Sequence, residues 1–197
     1  STALTKSYAM KNGELVKTPY PMTWEFTSHK HVCADLRTLE ALLKTHAALG
    51  HCMIKGELSR DIARESRAGL TNSQAPTSIL VLDLDGLPEE LETVSPSGQK
   101  VTIKLTLEMF LRELGLQDIS YVVQWSASYG INGDNRIRAH VFIFLDKPYA
   151  APLLKQWLIQ KNHAFWKIRP DQKIVVKGDW DTAEDRLKVA ERITADL

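Results

Sequence analysis

The sequence has little of what marks a secreted or a membrane protein. Only two of its 197 residues are cysteines, too few for a disulfide framework. No apolar run approaches the roughly 20 residues of a membrane-spanning helix, and the first residues lack the basic-then-apolar layout of a signal peptide. We therefore expect a cytoplasmic protein with no membrane partner, in which Cys33 and Cys52 are free thiols.

An excess of charge of one sign is also missing. The 25 Lys and Arg residues are balanced by 24 Asp and Glu, which leaves a net charge of +1 and no global attraction to nucleic acid. Hydrophobic residues make up 44% of the chain and charged ones 25%, which excludes wholesale disorder. We expect one domain over residues 1–197, with an irregular arm at 1–28, a hairpin turn at Asn12-Gly13, and a core from about 32 to 197.

The apolar residues recur with the spacings of helices and strands in alternation. Residues 36–47 have helical spacing, Asp35 is placed to act as N-cap, and Gly50 ends the run. Such an alternation, with one clear hairpin at Asn132-Gly133, predicts an α+β fold in which helices back an antiparallel or mixed sheet. Strands are predicted at 51–54, 79–82, 101–105, 121–125, 139–145 and 173–176, and further helices at 59–68, 106–114, 151–160 and 182–195.

One apolar strand ends in two carboxylates. Residues 79–82 are followed by Asp83 and Asp85, which the two-residue period of a strand places on the same side. Two such charges raise each other's pKa unless a cation lies between them, and closely set carboxylate oxygens suit Mg²⁺ or Mn²⁺. The alternative is an Asp-rich turn after a core strand, with Gly86 and Pro88 as turn residues.

A histidine lies inside another apolar strand. His140 follows a loop of hydroxyl, glycine and arginine residues, and a lone strand histidine is most often a core residue with satisfied hydrogen bonds. Here Arg136 or Arg138, with Ser126 and Ser128, adds donors suited to phosphate oxygens, while the two aspartates offer a metal that would bridge those phosphates. Together they predict a site for a metal-bound triphosphate.

At these residues the chain resembles the archaeo-eukaryotic primase superfamily, specifically the primase-polymerases of phages and plasmids. The first motif of that family is an apolar strand ending in Asp-x-Asp or Asp-x-Glu, as in residues 80–86. Its second motif is a strand histidine near a Ser- and Gly-containing turn, as in residues 126–130 and 138–142. Phage members of that family also contain segments similar to residues 144–148 and to the predicted helix that includes residues 154–158. The resemblance fades on either side of these stretches.

The resemblance implies an RRM-like sheet and a DNA-dependent nucleotidyltransferase, a primase or primer-extending polymerase that uses two Mg²⁺ or Mn²⁺ ions to replicate a phage or plasmid. The implied partners are a single-stranded DNA template with its primer, nucleoside triphosphates, and a replicative helicase. Asp83 and Asp85 would hold the metals with a third carboxylate, for which Asp171 is the first choice; Asp179, Asp181 and a residue beyond 197 are rivals. The implied triphosphate-binding residues are His140, Ser126, Ser128, Arg138, Arg136 and Arg67.

Two other function classes stay open at this point. One is a non-catalytic nucleic-acid-binding or replication-initiator module with structural aspartates. The other is a nuclease or relaxase, which is disfavoured because no His-x-His pair occurs at His140. Trp125, directly before the serine loop, is placed to stack on a base. No zinc site is predicted, because the histidines and cysteines of the first part of the chain lack zinc-finger spacing; they are His29, His31, Cys33, His46, His51 and Cys52.

Overall fold

The computed structural model of the protein describes residues 6–54, 56–72, 74–104, 106–131, 136–168 and 193–194. Over these ranges the structure is mixed α+β, with three helices and several small antiparallel sheets. The strands are β1 (Ser7–Lys11), β2 (Glu14–Thr18), β3 (Phe26–Thr27), β4 (Glu57–Leu58), β5 (Ala63–Glu65), β6 (Thr71–Asn72), β7 (Pro76–Pro88), β8 (Glu90–Val94), β9 (Lys100–Lys104), β10 (Tyr121–Trp125), β11 (Arg136–Ala150) and β12 (Ile193–Thr194), and the helices are α1 (Leu36–Ala48), α2 (Leu107–Glu113) and α3 (Ala151–Ile168).

The centre of the structure is a four-stranded sheet in the order β10-β11-β7-β12, with every neighbouring pair antiparallel. Its two long strands, β7 and β11, pair along most of their length, with Val141 opposite Leu82 and Phe142 opposite Val81. The remaining strands form two-stranded ribbons: β1 with β2, β3 with β5, β4 with β6, and β8 with β9.

Alternation along β7 and β11 sorts their side chains onto two apolar faces. Leu82 and Val141, both fully buried, lie in the larger core cluster, together with residues of α2 and α3. Val81 and Phe142 lie on the opposite face, where Leu39 of α1 packs against them. The sheet is therefore covered by helices on both faces. The larger cluster consists of Leu80, Leu82, Leu84, Leu87, Leu107, Phe110, Leu111, Leu114, Ile137, Val141, Ile143 and Leu158.

Several predicted elements are confirmed with their expected ends. The Asp35 side chain accepts a hydrogen bond from the Thr38 backbone N–H at 2.7 Å and caps α1. Thr106 does the same for α2 through Met109 N–H at 3.3 Å. Turn residues at Asn12-Gly13, both with positive φ, join β1 to β2, as this sequence predicts. The irregular arm thus contains a regular hairpin.

Two predicted elements ahead of the central sheet are wrong. The helix predicted over 59–68 is the short strand β5, because this segment pairs with β3 and Arg64 has a left-handed φ of 55°, which no helix interior tolerates. The carbonyl of Ile62 accepts from Ser28 N–H at 2.9 Å, which ties the segment to the β3 end. Residues 51–54 form no strand.

Both long strands run further than the sequence predicts. β7 continues past the two aspartates to Pro88, because its pairing with β11 is re-established after a bulge. β11 likewise extends through 146–148 to Ala150, with a register shift between Phe144 and Tyr149. Between residues 85 and 100, where no strand is predicted, the structure has β8, which pairs with β9.

Two residues of the helix predicted over 182–195 are described, and they form a strand instead. Ile193 and Thr194 form β12 and pair antiparallel with β7, opposite Leu84 and Asp83. The rest of that helix, and the strand predicted at 173–176, lie outside the described residues. Among the described residues, no helix combines the length and the apolar character that crossing a membrane requires.

Leu82→Ala tests whether the side chains of β7 and β11 form the stabilising core of the protein. Because Leu82 is fully buried, we expect the free energy of unfolding to fall by about 2–5 kcal/mol in urea denaturation. Leu15→Ala is the control, since that side chain is 41% exposed in the β1–β2 ribbon. Equal losses for the two variants would contradict this assignment of the core.

Candidate functional site

The pairing of β7 with β11 brings the first aspartate and the strand histidine face to face. Asp83 and His140 are direct cross-strand partners, and His140 Nε2 lies 3.4 Å from Asp83 Oδ1. The side chains are 23% and 40% exposed, respectively, so both are reachable from solvent. His140 is thus neither a core residue nor remote from the Asp-x-Asp motif.

The second aspartate faces an arginine two residues along the same strands. Asp85 is the cross-strand partner of Arg138, and Arg138 Nε lies 3.9 Å from Asp85 Oδ1. The arginine side chain is only 14% exposed whereas the carboxylate is 58% exposed. The guanidinium is therefore held in the protein while the carboxylate reaches into solvent.

A bulge at Gly86, directly after Asp85, brings a second arginine next to the pair of Asp85 and Arg138. The register shifts between Ile137 and Arg138, so Gly86 is the extra residue on β7, and its φ of 104° is one that only glycine adopts readily. Arg136 donates from a terminal guanidinium nitrogen to the Gly86 carbonyl at 3.0 Å. Two arginines thus flank the backbone directly after the second aspartate.

The serine loop begins beside the same arginine. Ser126 N–H donates to the Arg138 carbonyl at 2.9 Å, which prolongs the β10–β11 ladder by one residue. The hydroxyl oxygens of Ser126 and Ser128 lie 3.0 Å apart, and both residues are half-buried. The loop therefore presents two hydroxyls next to the basic end of β11.

These side chains lie on the sheet face that α1 partly covers. The ring of His140 lies 6.4 Å from that of Phe142, which packs with Leu39 of α1. Asp83 likewise follows Val81 of the same apolar cluster by two residues. The charged group begins where the apolar contact with α1 ends. We call Asp83, Asp85, Arg138 and His140 the cross-strand quartet.

The structure gathers five of the six predicted triphosphate-binding residues and two of the three predicted carboxylates around β7 and β11. Arg67 is not in this group: its guanidinium carbon lies 5.6 Å from the centre of the Phe26 ring, beside β3 and β5. Asp171, Asp179 and Asp181 lie outside the described residues. Later in the chain, β12 pairs Thr194 with Asp83.

The quartet meets the donor requirements of a hard divalent cation only in part. Two carboxylates share one face, and such oxygens are the ligands that Mg²⁺ and Mn²⁺ prefer. Over the described ranges, no three His, Cys, Asp or Glu side chains form a group that would hold a metal ion. The residues fit two ligands of the implied metals, and the third would have to come from elsewhere in the chain.

Basic side chains on the neighbouring strand reduce the repulsion expected between the two aspartates. Asp83 faces His140 and Asp85 faces Arg138, so the two carboxylates lie along β7 and the two basic side chains lie opposite them along β11. These two pairs orient each carboxylate and place hydrogen-bond donors for anionic oxygens beside it. The quartet is therefore suited to a ligand that combines a metal cation with anionic oxygens.

Gly86 and Gln124 were not singled out as site components from the sequence, whereas Trp125 is the residue predicted to stack on a base. Gly86 is needed for the bulge, and its signal was the Asp-Gly pair inside a strand. Gln124 is the β10 partner of His140, which only the register reveals. The rings of Trp125 and Tyr129 stack with centroids 4.4 Å apart, and the Tyr129 hydroxyl donates to Glu89 Oε1 at 3.2 Å.

Comparisons with protein-family models, with curated proteins and with solved structures found no match.

Asp85→Asn tests whether this aspartate is structural. A half-exposed carboxylate 3.9 Å from its cation contributes little, so we expect the free energy of unfolding to change by less than about 1 kcal/mol. Arg138→Ala should cost more, roughly 1–3 kcal/mol, because that side chain is mostly buried. Urea denaturation of both variants measures the difference, and a larger loss for Asp85→Asn would indicate a structural aspartate.

Proposed function

We propose that the chain is a nucleotidyltransferase of the primase-polymerase type, which adds nucleotides on a single-stranded DNA template in replication of a phage or plasmid. One observation carries the proposal: Asp83 and Asp85 lie on one face, directly opposite His140 and Arg138. A metal-bound triphosphate needs carboxylates for its cation and donors for its oxygens, side by side.

In this proposal each member of the quartet has a distinct task. Asp83 and Asp85 would hold Mg²⁺ or Mn²⁺, which when bound supplies charge neutralisation at the attacking and leaving oxygens. Arg138, whose side chain is 14% exposed, would give a positive charge for a phosphate oxygen. His140 Nε2, now 3.4 Å from Asp83, is free to turn toward the same phosphates when a cation takes over that carboxylate.

The serine loop would complete the phosphate site. Ser126 and Ser128 pair their hydroxyls at 3.0 Å, and either hydroxyl can redirect its proton to a phosphate oxygen. The hydrogen bond from the Ser126 backbone N–H to the Arg138 carbonyl holds the start of the loop against β11. Positioning and charge neutralisation would then account for most of the rate enhancement.

The finer features implied by the resemblance belong to the same proposal. They are a single RRM-like domain, a third metal-binding carboxylate such as Asp171, a cytoplasmic location in the host, and a replicative helicase as partner. The four antiparallel strands with α1 on one face and α2 and α3 on the other are compatible with an RRM-like scaffold. Arg67, beside Phe26, would contact nucleotide or template only if the β3–β5 ribbon approaches the bound DNA.

A second candidate is a non-catalytic nucleic-acid-binding or initiator module. It is favoured by the pairing of each aspartate with a basic neighbour, since such pairs satisfy the carboxylates without any metal. In that case nucleotide binding would be independent of divalent cations.

Asp83→Asn combined with Asp85→Asn should abolish Mn²⁺-dependent nucleotide addition on a primed single-stranded template, because the amides neither neutralise nor bind a hard cation well. A primer-extension assay measures the loss. Asp118→Asn is the matched control, since Asp118 is exposed and its left-handed φ of 59° suits asparagine equally. Retained addition by the double variant would overturn the assignment.

His140→Ala should weaken triphosphate binding in the presence of Mn²⁺ by about 1.5–3 kcal/mol, or roughly 10- to 150-fold, the usual cost of losing a charge-assisted hydrogen bond. Titration calorimetry measures the dissociation constant, and a melting curve checks that the variant is folded. His51→Ala, outside the sheet, is the control. Unchanged affinity together with a lower melting midpoint would make His140 a structural residue and favour the non-catalytic module.

A further inference from the structure

Four of the six histidines gather at the end of α1, away from the cross-strand quartet. His46 Nδ1 lies 2.9 Å from His51 Nδ1, and His46 Nε2 lies 2.9 Å from His31 Nε2. His29 stacks on His51, with ring centroids 5.1 Å apart and planes 7° from parallel. We call these four residues the histidine cluster.

Local structure explains how residues 15 positions apart meet. His46 lies in the last turn of α1, and Gly50, with a φ of 69°, turns the chain so that His51 N–H donates to the His46 carbonyl at 2.9 Å. His29 and His31 lie two apart in the non-helical segment after β3. Both therefore face the end of α1 from the same segment.

The two contacts of His46 differ in their surroundings. Its Nδ1 contact with His51 is partly buried, whereas its Nε2 contact with His31 is exposed. A neutral imidazole carries one N–H and one lone pair. If Nδ1–H of His46 donates to His51, then the Nε2 lone pair of His46 is directed at the exposed side, toward His31.

This is the arrangement of a metal-ligating histidine. Such residues bind the ion through one nitrogen and donate the other N–H to a partner that fixes the ring. His51 is that partner for His46, and the ring of His29 stacks on the ring of His51. Desolvation, together with the neighbouring His31, His51 and His29, lowers the pKa of His46.

We propose that His31 Nε2 and His46 Nε2 chelate a transition-metal ion of the imidazole-binding class, with His51 as the orienting partner of His46. Metal–nitrogen bonds of about 2.1 Å to two atoms 2.9 Å apart enclose an angle of about 90°. That angle is the one between adjacent ligands in tetragonal or octahedral complexes, which Cu²⁺ and Ni²⁺ adopt. The two rings would turn from their hydrogen-bonded orientation so that both Nε2 lone pairs converge on the ion.

The ion would have two protein ligands, with water in its other positions. No third His, Cys, Asp or Glu in the described part of the chain completes the group. The ion takes the place of the proton between His31 and His46, which moves to His31 Nδ1 as that ring changes tautomer, so the ion would cross-link the segment after β3 to the end of α1. Binding would therefore raise the thermal midpoint in proportion to the logarithm of the free metal concentration.

Titration calorimetry with Ni²⁺ at pH 7.5 tests the site on the untagged chain. We expect one equivalent to bind, His31→Ala and His46→Ala each to lower the affinity at least tenfold, and His51→Ala to lower it about 10- to 100-fold. Unchanged affinity in His31→Ala or in His46→Ala would overturn the proposal. Loss of binding in His51→Ala with none in His31→Ala would also overturn it, because the ion would then lie between the Nδ1 atoms.

A second measurement counts the ligands directly. Electron paramagnetic resonance of bound Cu²⁺ should show hyperfine coupling to two imidazole nitrogens in the wild type and to one in His31→Ala. Asp83→Asn, which disables the other candidate metal site, should leave both readouts unchanged. Loss of the signal in Asp83→Asn would place the ion at the cross-strand quartet and overturn a site at the histidine cluster.

Discussion

The register between β7 and β11 is the constraint on which the candidate site depends. Because Asp83 pairs with His140 and Asp85 with Arg138, two short-range sequence patterns become one cluster of acidic and basic side chains. A slip of one residue would move the leucines of β7 out of the larger core cluster and place charges in it. The same apolar burial that stabilises the sheet therefore fixes which acidic residue faces which basic one.

The bulge at Gly86 is the second device that shapes this face. Without an extra residue on β7, continued alternation would turn Leu87 toward the quartet rather than into the core, where it is 2% exposed. The bulge absorbs that change, and its carbonyl is held by Arg136. β7 can thus carry two aspartates on one face and still bury leucines on both sides of them.

Much of this arrangement follows from local sequence rules. The two-residue period puts Asp83 and Asp85 on one face, and the caps at Asp35 and Thr106 mark helices that the structure contains. What could not be predicted depends on pairing between distant segments. Residues 59–68 have an acceptable helical pattern, yet their pairing with β3 decides their structure.

The histidine cluster shows the same limit for a site. His31 and His46 have no spacing typical of a zinc finger, because one lies on a helix and the other on a separate segment that the fold brings alongside. The two proposed metal sites also differ in chemistry: carboxylate oxygens at the quartet suit hard cations such as Mg²⁺ and Mn²⁺, and imidazole nitrogens suit Cu²⁺ and Ni²⁺. Added Mn²⁺ should therefore distinguish them.

The most direct test of the quartet as a metal-triphosphate site is nuclear magnetic resonance with Mn²⁺ and a non-hydrolysable nucleoside triphosphate. A paramagnetic ion broadens the signals of nearby nuclei most strongly. We predict the greatest broadening at the amides of Asp83 and Asp85 and at the ring of His140, only when the triphosphate is present. Broadening confined to the histidine cluster, or equal without nucleotide, would contradict the proposed function.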